Sequence, residues 1–381
     1  MKRVTVLGAG RVGRVIARDL ASDNALQVTV ADQCEEVLQK LAAELPVNTV
    51  KADLTRPGVI RELVSGKDAA AGALPGFMGF AALKEVIQAK TPYVDISFMA
   101  EDPRVLQKEA EAAFVPALYD FGVAPGMSNL VAALEARRLA PARRIRIAVG
   151  GLPRVRRAPW EYEAPFSPAD VVEEYIRPAR VRVNGTTVEK FALSERETVE
   201  LPEVGTLESF LTDGLRSLVD TVDCPNMEER TLRYPGYSER IRLLLDSGFL
   251  STVPVTINGA EVVPLDLTRK LLDDAWLSPD EPDELTIMRI AVEGESAGRS
   301  VERVVHLYDE TDRKRNETSM ARTTGFPAAA AIRAMVSGVL RLPPGVHPPE
   351  ATAGNETFIR YLFDALAARN VRYDTLPDRF M

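Results

Sequence analysis

The sequence predicts an α/β chain in which a doubly wound parallel sheet is interrupted by an inserted α+β module. Three observations predict it. Strand-like and helix-like runs alternate from residue 1 to about residue 125, a glycine-rich turn follows the first run, and from Arg143 to about Asp309 the pattern becomes strands and turns with several prolines. Strand and helix in strict alternation build a parallel sheet covered on both faces.

Six strands are read in the first part: RVTVL (3–7), QVTVA (27–31), VNTVK (47–51), DAAAGAL (68–74), YVDIS (93–97) and FVPAL (114–118). The fourth is alanine-rich and weak in strand propensity, so it rests on the strand-shaped gap between its neighbours. QCEEVLQKLAAEL, PGVIRELVSG, FAALKEVIQAK and DPRVLQKEAEAA place apolar residues three and four apart, the spacing of helices. Beyond the helical SNLVAALEARRL, the Asn-Gly pair in VRVNGTTVEKF marks a hairpin, and LTIMRIAVEGESAGRSVERVVHLYDE reads as a longer hairpin whose loop holds both glycines. FPAAAAIRAMVSGVL and NETFIRYLFDALAARN read as two closing helices, the second capped by Asn355 and aligning Phe358, Leu362 and Leu366 on one face.

Composition excludes several function classes. The chain has 381 residues, 46% of them apolar and 27% charged, enough for two cores and without an apolar run approaching the ~18 residues of a membrane span. The start MKRVTVLGAG enters a strand pattern directly, so a cytoplasmic protein with no membrane partner is expected. A net charge of -8 without a basic run argues against a nucleic-acid partner. Only Cys34, Cys224, His306 and His347 are available as soft ligands, far apart in sequence, so no metal site is expected and histidine is a poor candidate for acid–base work.

Gly8, Gly10 and Gly13, with Arg11 and Val12 between them, form GAGRVG at the end of the first strand and the start of the next helix. In that context the first glycine permits the turn, the second admits a diphosphate to the backbone, and the third lets helix and strand pack closely. Asp32 ends the second strand, where a carboxylate accepts both adenosine ribose hydroxyls and repels a 2′-phosphate; Gln33 and Cys34 beside it are not basic. NAD is therefore expected in preference to NADP. Asp53 and Leu54 after the third strand either meet the adenine or, for Asp53, cap the helix in PGVIRELV. Ala73, Leu74 and Pro75 follow the fourth strand and face the cofactor's diphosphate and nicotinamide, or form a simple turn. The expected organisation is a Rossmann domain over 1–127, an α+β substrate and dimerisation domain over 128–320, and helices over 321–381 packing back on the first.

At DFGVAPGMSN (120–129), GGLP (150–153), PWEYEAPFSPADVVEEYIRPAR (159–180), VGTLESFLTDGLRSL (204–218) and TLRYPGY (231–237) the chain resembles the saccharopine dehydrogenase-like family, and within it the lysine 6-dehydrogenases. The resemblance runs to about residue 350. It implies an amino-acid oxidoreductase acting on a carbon–nitrogen bond, with a small amino-acid substrate and a homodimer or higher homo-oligomer. Ala124 stands before Pro-Gly where saccharopine reductases typically carry aspartate, whereas Phe121 and Tyr237 stand where lysine 6-dehydrogenases commonly carry Cys and His.

Such chemistry needs a neutral amine, a hydride acceptor, a base and charge partners for the rest of the substrate. Arg233 is the candidate for the substrate carboxylate; the alternative is a strand-edge arginine paired with Glu228 or Glu229. Asp120, closing the sixth strand, holds the amine or relays a proton, or else caps the loop that follows. Asp95 and Ser97 are expected at the nicotinamide ribose or amide. Tyr237 is a proton donor or packing, and Gly150 and Gly151 allow close approach of substrate or form a hinge. The expected function is oxidative deamination of the lysine side chain to the semialdehyde, with saccharopine turnover or a non-catalytic NAD-binding regulator as rivals.

Overall fold

The computed structural model describes residues 1–165, 168–276 and 282–380. Contacts divide it into two units, one of residues 1–134 and 321–373, the other of residues 135–320 and 374–381.

The first unit opens with β1 (Lys2–Leu7), α1 (Arg11–Ala21), β2 (Leu26–Asp32), α2 (Glu35–Glu44), β3 (Asn48–Lys51), α3 (Val59–Val64), β4 (Ala69–Gly72), α4 (Gly76–Gln88), β5 (Tyr93–Asp95), α5 (Gln107–Ala113) and β6 (Pro116–Leu118). All six expected strands form, the alanine-rich fourth included. Val4, Thr5, Val6 and Leu7 of β1 are fully buried, as a strand covered on both faces requires. Helix α6 (Met127–Arg138) then leads into the second unit.

That unit begins with β7 (Ala142–Pro153), α7 (Pro168–Ile176), β8 (Ala179–Val183), β9 (Thr186–Lys190), β10 (Glu197–Leu201), β11 (Gly205–Leu211), α8 (Leu218–Thr221), β12 (Met227–Arg233) and α9 (Tyr237–Asp246). It continues through β13 (Val255–Ile257), β14 (Ala260–Val262), α10 (Pro264–Ala275), β15 (Glu284–Ser296) and β16 (Arg299–Glu310). Residues 166–167 of the quoted PWEYEAPFSPADVVEEYIRPAR lie outside the described residues. The sheet runs β10-β11-β12-β7-β15-β16, antiparallel except for the β12–β7 pair.

Both expected hairpins form with two-residue turns whose positions have positive φ, Asn184–Gly185 and Ala297–Gly298, which matches the twist of the strands they join. Gly294 is not in the loop, contrary to expectation. It lies in β15 at a register shift against β7, where a Cβ would sit 2.3 Å from the Leu139 carbonyl oxygen, so the close strand-to-chain approach demands glycine.

The chain returns to the first unit through α11 (Ser319–Ser337), β17 (Gly345–His347) and α12 (Glu356–Ala367). Strand β17 was not anticipated. It adds a seventh parallel strand beside β6, giving the order β17-β6-β5-β4-β1-β2-β3. Within this unit Phe358, Leu362 and Leu366 are fully buried, Phe358 meets Phe121 at 6.2 Å between ring centroids, and the carboxylate of Asp19 on α1 is gripped by Arg333 and Arg369.

Asn355 caps α12, its Oδ1 accepting the Phe358 N–H at 3.0 Å. Asn355→Ala leaves that donor unmet, and urea unfolding should show a loss of about 1 kcal/mol.

Candidate active site

The glycine turn is built by steric necessity. Gly8 has φ +97°, and a Cβ there would stand 2.4 Å from the Ala73 carbonyl oxygen; a Cβ on Gly13 would stand 2.1 Å from the Gly8 carbonyl oxygen. Turn, helix and the segment after β4 are thus pressed into one surface. Gly10 differs, since nothing lies within 4 Å of its missing Cβ. It is also the N-cap of α1, with no side chain capping the helix, so the first turn, containing the half-buried Arg11 and Val12, keeps its positive dipole end toward open space.

Asp32 is tied to this turn: Oδ2 accepts the Ala9 N–H at 2.7 Å and Oδ1 the Cys34 N–H at 2.8 Å. Each oxygen keeps a further lone pair. Ala73 and Leu74 contact Gly8, and Pro75 is the N-cap of α4. The structure therefore brings together Gly8, Gly10, Arg11, Val12, Gly13, Asp32, Ala73, Leu74 and Pro75.

Asp53 and Leu54 follow β3 in the same unit. Asp53 Oδ1 accepts from the N–H and hydroxyl of Thr55, a local turn, and Leu54 is buried in the apolar cluster of the sheet. Asp53 does not cap α3; Glu85 does that, accepting the N–H groups of Gly58 at 2.7 Å and Arg61 at 3.0 Å. The cap role expected of Asp53 fails because an acid after a strand carries no signal of which way its side chain turns.

Asp95 is fully buried at the end of β5. Its Oδ1 accepts from the Tyr93 and Ser97 hydroxyls, both at 3.0 Å, and its Oδ2 from the Ser97 N–H at 3.1 Å. Gly72 makes room, since a Cβ there would overlap the Tyr93 hydroxyl. Asp95 thus accepts from its own neighbours on β5 and just beyond it. Burial pushes its carboxyl up to about 7, with the nearby Asp120 carboxylate adding to the effect against the hydrogen bonds that oppose it. Asp120 itself is buried with φ +52°, and the following Phe121 N–H reaches the Asp95 carbonyl.

In the second unit, Arg233 is buried at the end of β12, and Glu228 and Glu229 are not its partners. Glu228 meets Arg146, while Glu229 accepts from Thr212 and Gly214. The guanidinium of Arg233 lies over the ring of Tyr162 at 4.6 Å and near that of Tyr237 at 5.6 Å. Its Nη2 donates to the Tyr175 hydroxyl at 3.1 Å and lies 3.6 Å from Glu174; its Nη1 donates to the Leu232 carbonyl. Its Nε has no partner among the described residues.

Tyr175 donates to Tyr237 at 3.1 Å, and Tyr162 meets Trp276 edge-on. Tyr162, Glu174, Tyr175 and Trp276 were missed as site residues, although PWEYEAP and VVEEYI had already placed rings and acids there. Burial drives the Tyr237 phenol well above its ordinary value, and its ring stands beside those of Tyr162 and Tyr175. Gly150 and Gly151 serve the chain's own packing: a Cβ on Gly150 would stand 2.7 Å from the Leu232 carbonyl oxygen, and one on Gly151 2.4 Å from the Met320 methyl.

Among the described residues, no group of His, Cys, Asp and Glu is arranged to hold a metal ion, and no helix is long and apolar enough to cross a membrane.

Fold and turn define a dinucleotide-binding type of α/β unit joined to a sheet-built second unit. Residues 4–118 match the family profile described as "Saccharopine dehydrogenase NADP binding domain", and residues 122–371 the one described as "Saccharopine dehydrogenase C-terminal domain". The chain belongs to the saccharopine dehydrogenase family.

Among curated proteins it is similar to the mitochondrial alpha-aminoadipic semialdehyde synthase of Mus musculus, 23% identical over 74% of this chain and 32% of that protein. It is also similar to saccharopine dehydrogenase [NADP(+), L-glutamate-forming] of Pyricularia oryzae, 24% identical over 66% of this chain and 58% of that one. The chain thus spans about a third of the length of the mouse relative. Among solved structures, apo saccharopine dehydrogenase (L-Glu forming) from Saccharomyces cerevisiae shares the fold, with a TM-score of 0.80, 19% identity, and coverage of 99% of this chain and 100% of that one. Homospermidine synthase from Legionella pneumophila, in complex with NAD, follows with a TM-score of 0.63, 13% identity, and coverage of 100% and 91%.

The Asp95 network gives stability a pH signature. A carboxyl raised from its ordinary range to about 7 binds its proton more tightly folded than unfolded, so its contribution is full below about pH 4 and is lost as pH rises through 7. Asp95→Asn cannot accept at every donor and should be less stable at acid pH. Its deficit against the parent should shrink, by on the order of a few kcal/mol at most, between pH 4 and 8 in thermal melts. A deficit that stays constant with pH contradicts the assignment.

Proposed function

We propose that this chain is an NAD-dependent amino-acid dehydrogenase that deaminates the side-chain amine of L-lysine to 2-aminoadipate 6-semialdehyde. The observation that carries the reading is the uncapped start of α1, with Gly10 facing open space and the Asp32 carboxylate fixed beside it. The choice of lysine rests on Ala124 before Pro-Gly, where the family's saccharopine reductases typically carry aspartate.

A nicotinamide dinucleotide, when bound, takes a hydride from the carbon that bears the nitrogen. The N–H groups of Arg11, Val12 and Gly13 hold its diphosphate, packed from behind by Ala73, Leu74 and Pro75. Asp32 accepts the ribose hydroxyls with its remaining lone pairs; the extra phosphate of NADP would meet that negative charge with only Gln33 and Cys34 alongside.

The substrate amine must lose its proton before its carbon gives up hydride, and water then attacks the iminium carbon, releasing ammonia. Asp120, at the carboxyl edge of the sheet, is assigned to hold the amine and take up that proton. Asp95 keeps the Ser97 hydroxyl and backbone in place beside it. Within the second unit, Arg233 is assigned to bind a carboxylate, for which its Nε, without a partner among the described residues, is the donor.

A second reading has its own support: Phe121 and Tyr237 depart from the lysine 6-dehydrogenase pattern, and the similar proteins carry saccharopine dehydrogenase names. Purified protein should reduce NAD with lysine, followed by nicotinamide absorbance, and do so faster than with saccharopine plus NAD or NADP. Robust saccharopine turnover without lysine turnover overturns the choice.

Asp32→Ala should raise KM for NAD by roughly tenfold to a hundredfold, the loss of a charge-assisted hydrogen bond, and leave KM for the amino acid near the parent's. Arg233→Lys, which keeps charge but loses the planar fork, should do the reverse. Steady-state kinetics against each ligand in turn checks both.

A further inference from the structure

Arg233 does not lie in its ring cluster alone. Glu174 of α7 stands 3.6 Å from Nη2, too far for a hydrogen bond, and among the described residues the guanidinium is its only ion-pair partner. The other cations nearby, Arg177 and Arg269, are engaged by Glu173 on the same helix. Among the described residues Glu174 accepts no hydrogen bond, and 22% of its side chain is open to solvent, whereas the Arg233 side chain is only 5% exposed.

Buried charges without full partners are costly. Here three groups retain unmet capacity: the Nε of Arg233, the hydroxyl of Tyr162, which finds no partner among the described residues, and the carboxylate of Glu174. Glu229 shows the contrast. It is a buried carboxyl in the same unit, pushed up by burial to about 8, and its Oε2 accepts from the Thr212 hydroxyl at 2.7 Å and the Gly214 N–H at 3.0 Å. Glu229 is closed upon the protein; Glu174 is open toward solvent.

A cation and an anion held side by side, each short of partners and walled by Tyr162 and Tyr237, have a complement in chemistry. The head of a free α-amino acid carries carboxylate and ammonium on one carbon. We infer that Glu174 and Arg233 form a receptor for this zwitterion, with Arg233 Nε and the Tyr162 hydroxyl taking the carboxylate and Glu174 the α-ammonium. The inference rests on the proposed amino-acid substrate and adds the residue that selects an α-amino acid over a plain acid or a plain amine. Burial, with Asp170 adding to it, raises the Glu174 carboxyl to about 7 against the pull of Arg233 and Arg177, and an arriving ammonium adds a further positive partner that favours its charged form. The faces of the neighbouring rings favour the same cation.

The test uses ligands that carry the head but no oxidisable side-chain amine. L-norleucine, hexanoate and pentylamine are titrated calorimetrically into the full chain with NAD present. The parent should bind norleucine at least about tenfold more tightly than either fragment, since each fragment lacks one charge-assisted contact. Glu174→Gln should bring norleucine down to the level of hexanoate and leave hexanoate unchanged, and Glu174→Asp should recover part of the loss. Equal binding of norleucine and hexanoate by the parent overturns the inference, as does a Glu174→Gln variant that weakens both alike. Should Glu174→Gln fail to fold by circular dichroism, the comparison of the three ligands on the parent decides. Norleucine binding without lysine turnover overturns the proposed reaction and leaves the receptor standing; lysine turnover without selective norleucine binding does the opposite.

Discussion

The contact on which the first unit depends is the one between carbonyl oxygens and missing side chains at its glycine turn. The Gly8 oxygen occupies the place of a Cβ on Gly13, and the Ala73 oxygen occupies that of a Cβ on Gly8. Because no side chain intervenes, the start of α1 sits directly over the ends of β1 and β4, and Asp32 can reach the Ala9 amide from the end of β2. Three strands and a helix terminus are thereby held in one arrangement before any ligand arrives. An anion site that is rigid in advance binds without a further ordering cost.

The second unit solves a different problem, that of holding a guanidinium away from water. It does so with rings from separate stretches: Tyr162 from the segment before α7, Tyr175 from α7 and Tyr237 from the start of α9. Aromatic faces attract a cation while offering few hydrogen bonds, so the arginine is kept charged yet incompletely satisfied. That combination is unlike Arg230 nearby on β12, whose Nε donates to Ser209 Oγ and whose Nη2 reaches the Ser209 and Glu195 carbonyls.

What the sequence disclosed follows from how locally each feature is encoded. The six early strands, the two Asn-Gly-like and Ala-Gly hairpins, and the Asn355 cap are written in neighbouring residues, and all form. Strand β17 escaped notice because it has three residues beside a run of prolines and exists only through pairing with β6. The glycine turn was legible for the same reason as the hairpins. The surroundings of Arg233 were not, since Glu174 and Tyr175 lie almost sixty residues upstream and only the packing of α7 against the end of β12 brings them near. Asp95 was placed on the correct edge of the sheet, but direction along the edge does not reveal that Tyr93, two residues earlier on the same strand, claims its carboxylate.

The grip of Arg333 and Arg369 on Asp19 ties α1 to α11 and to a residue just past the end of α12. During synthesis, Asp19 leaves the ribosome long before either arginine exists. The early strands must therefore wait, with one flank of α1 uncovered, while the whole intervening unit is made. A nascent chain in that state exposes Val15 and Ile16, against which Gly325 of α11 later packs. That interval, in which apolar surface of the first unit stays uncovered until the second has been made, is a consequence of chain order that the finished fold conceals.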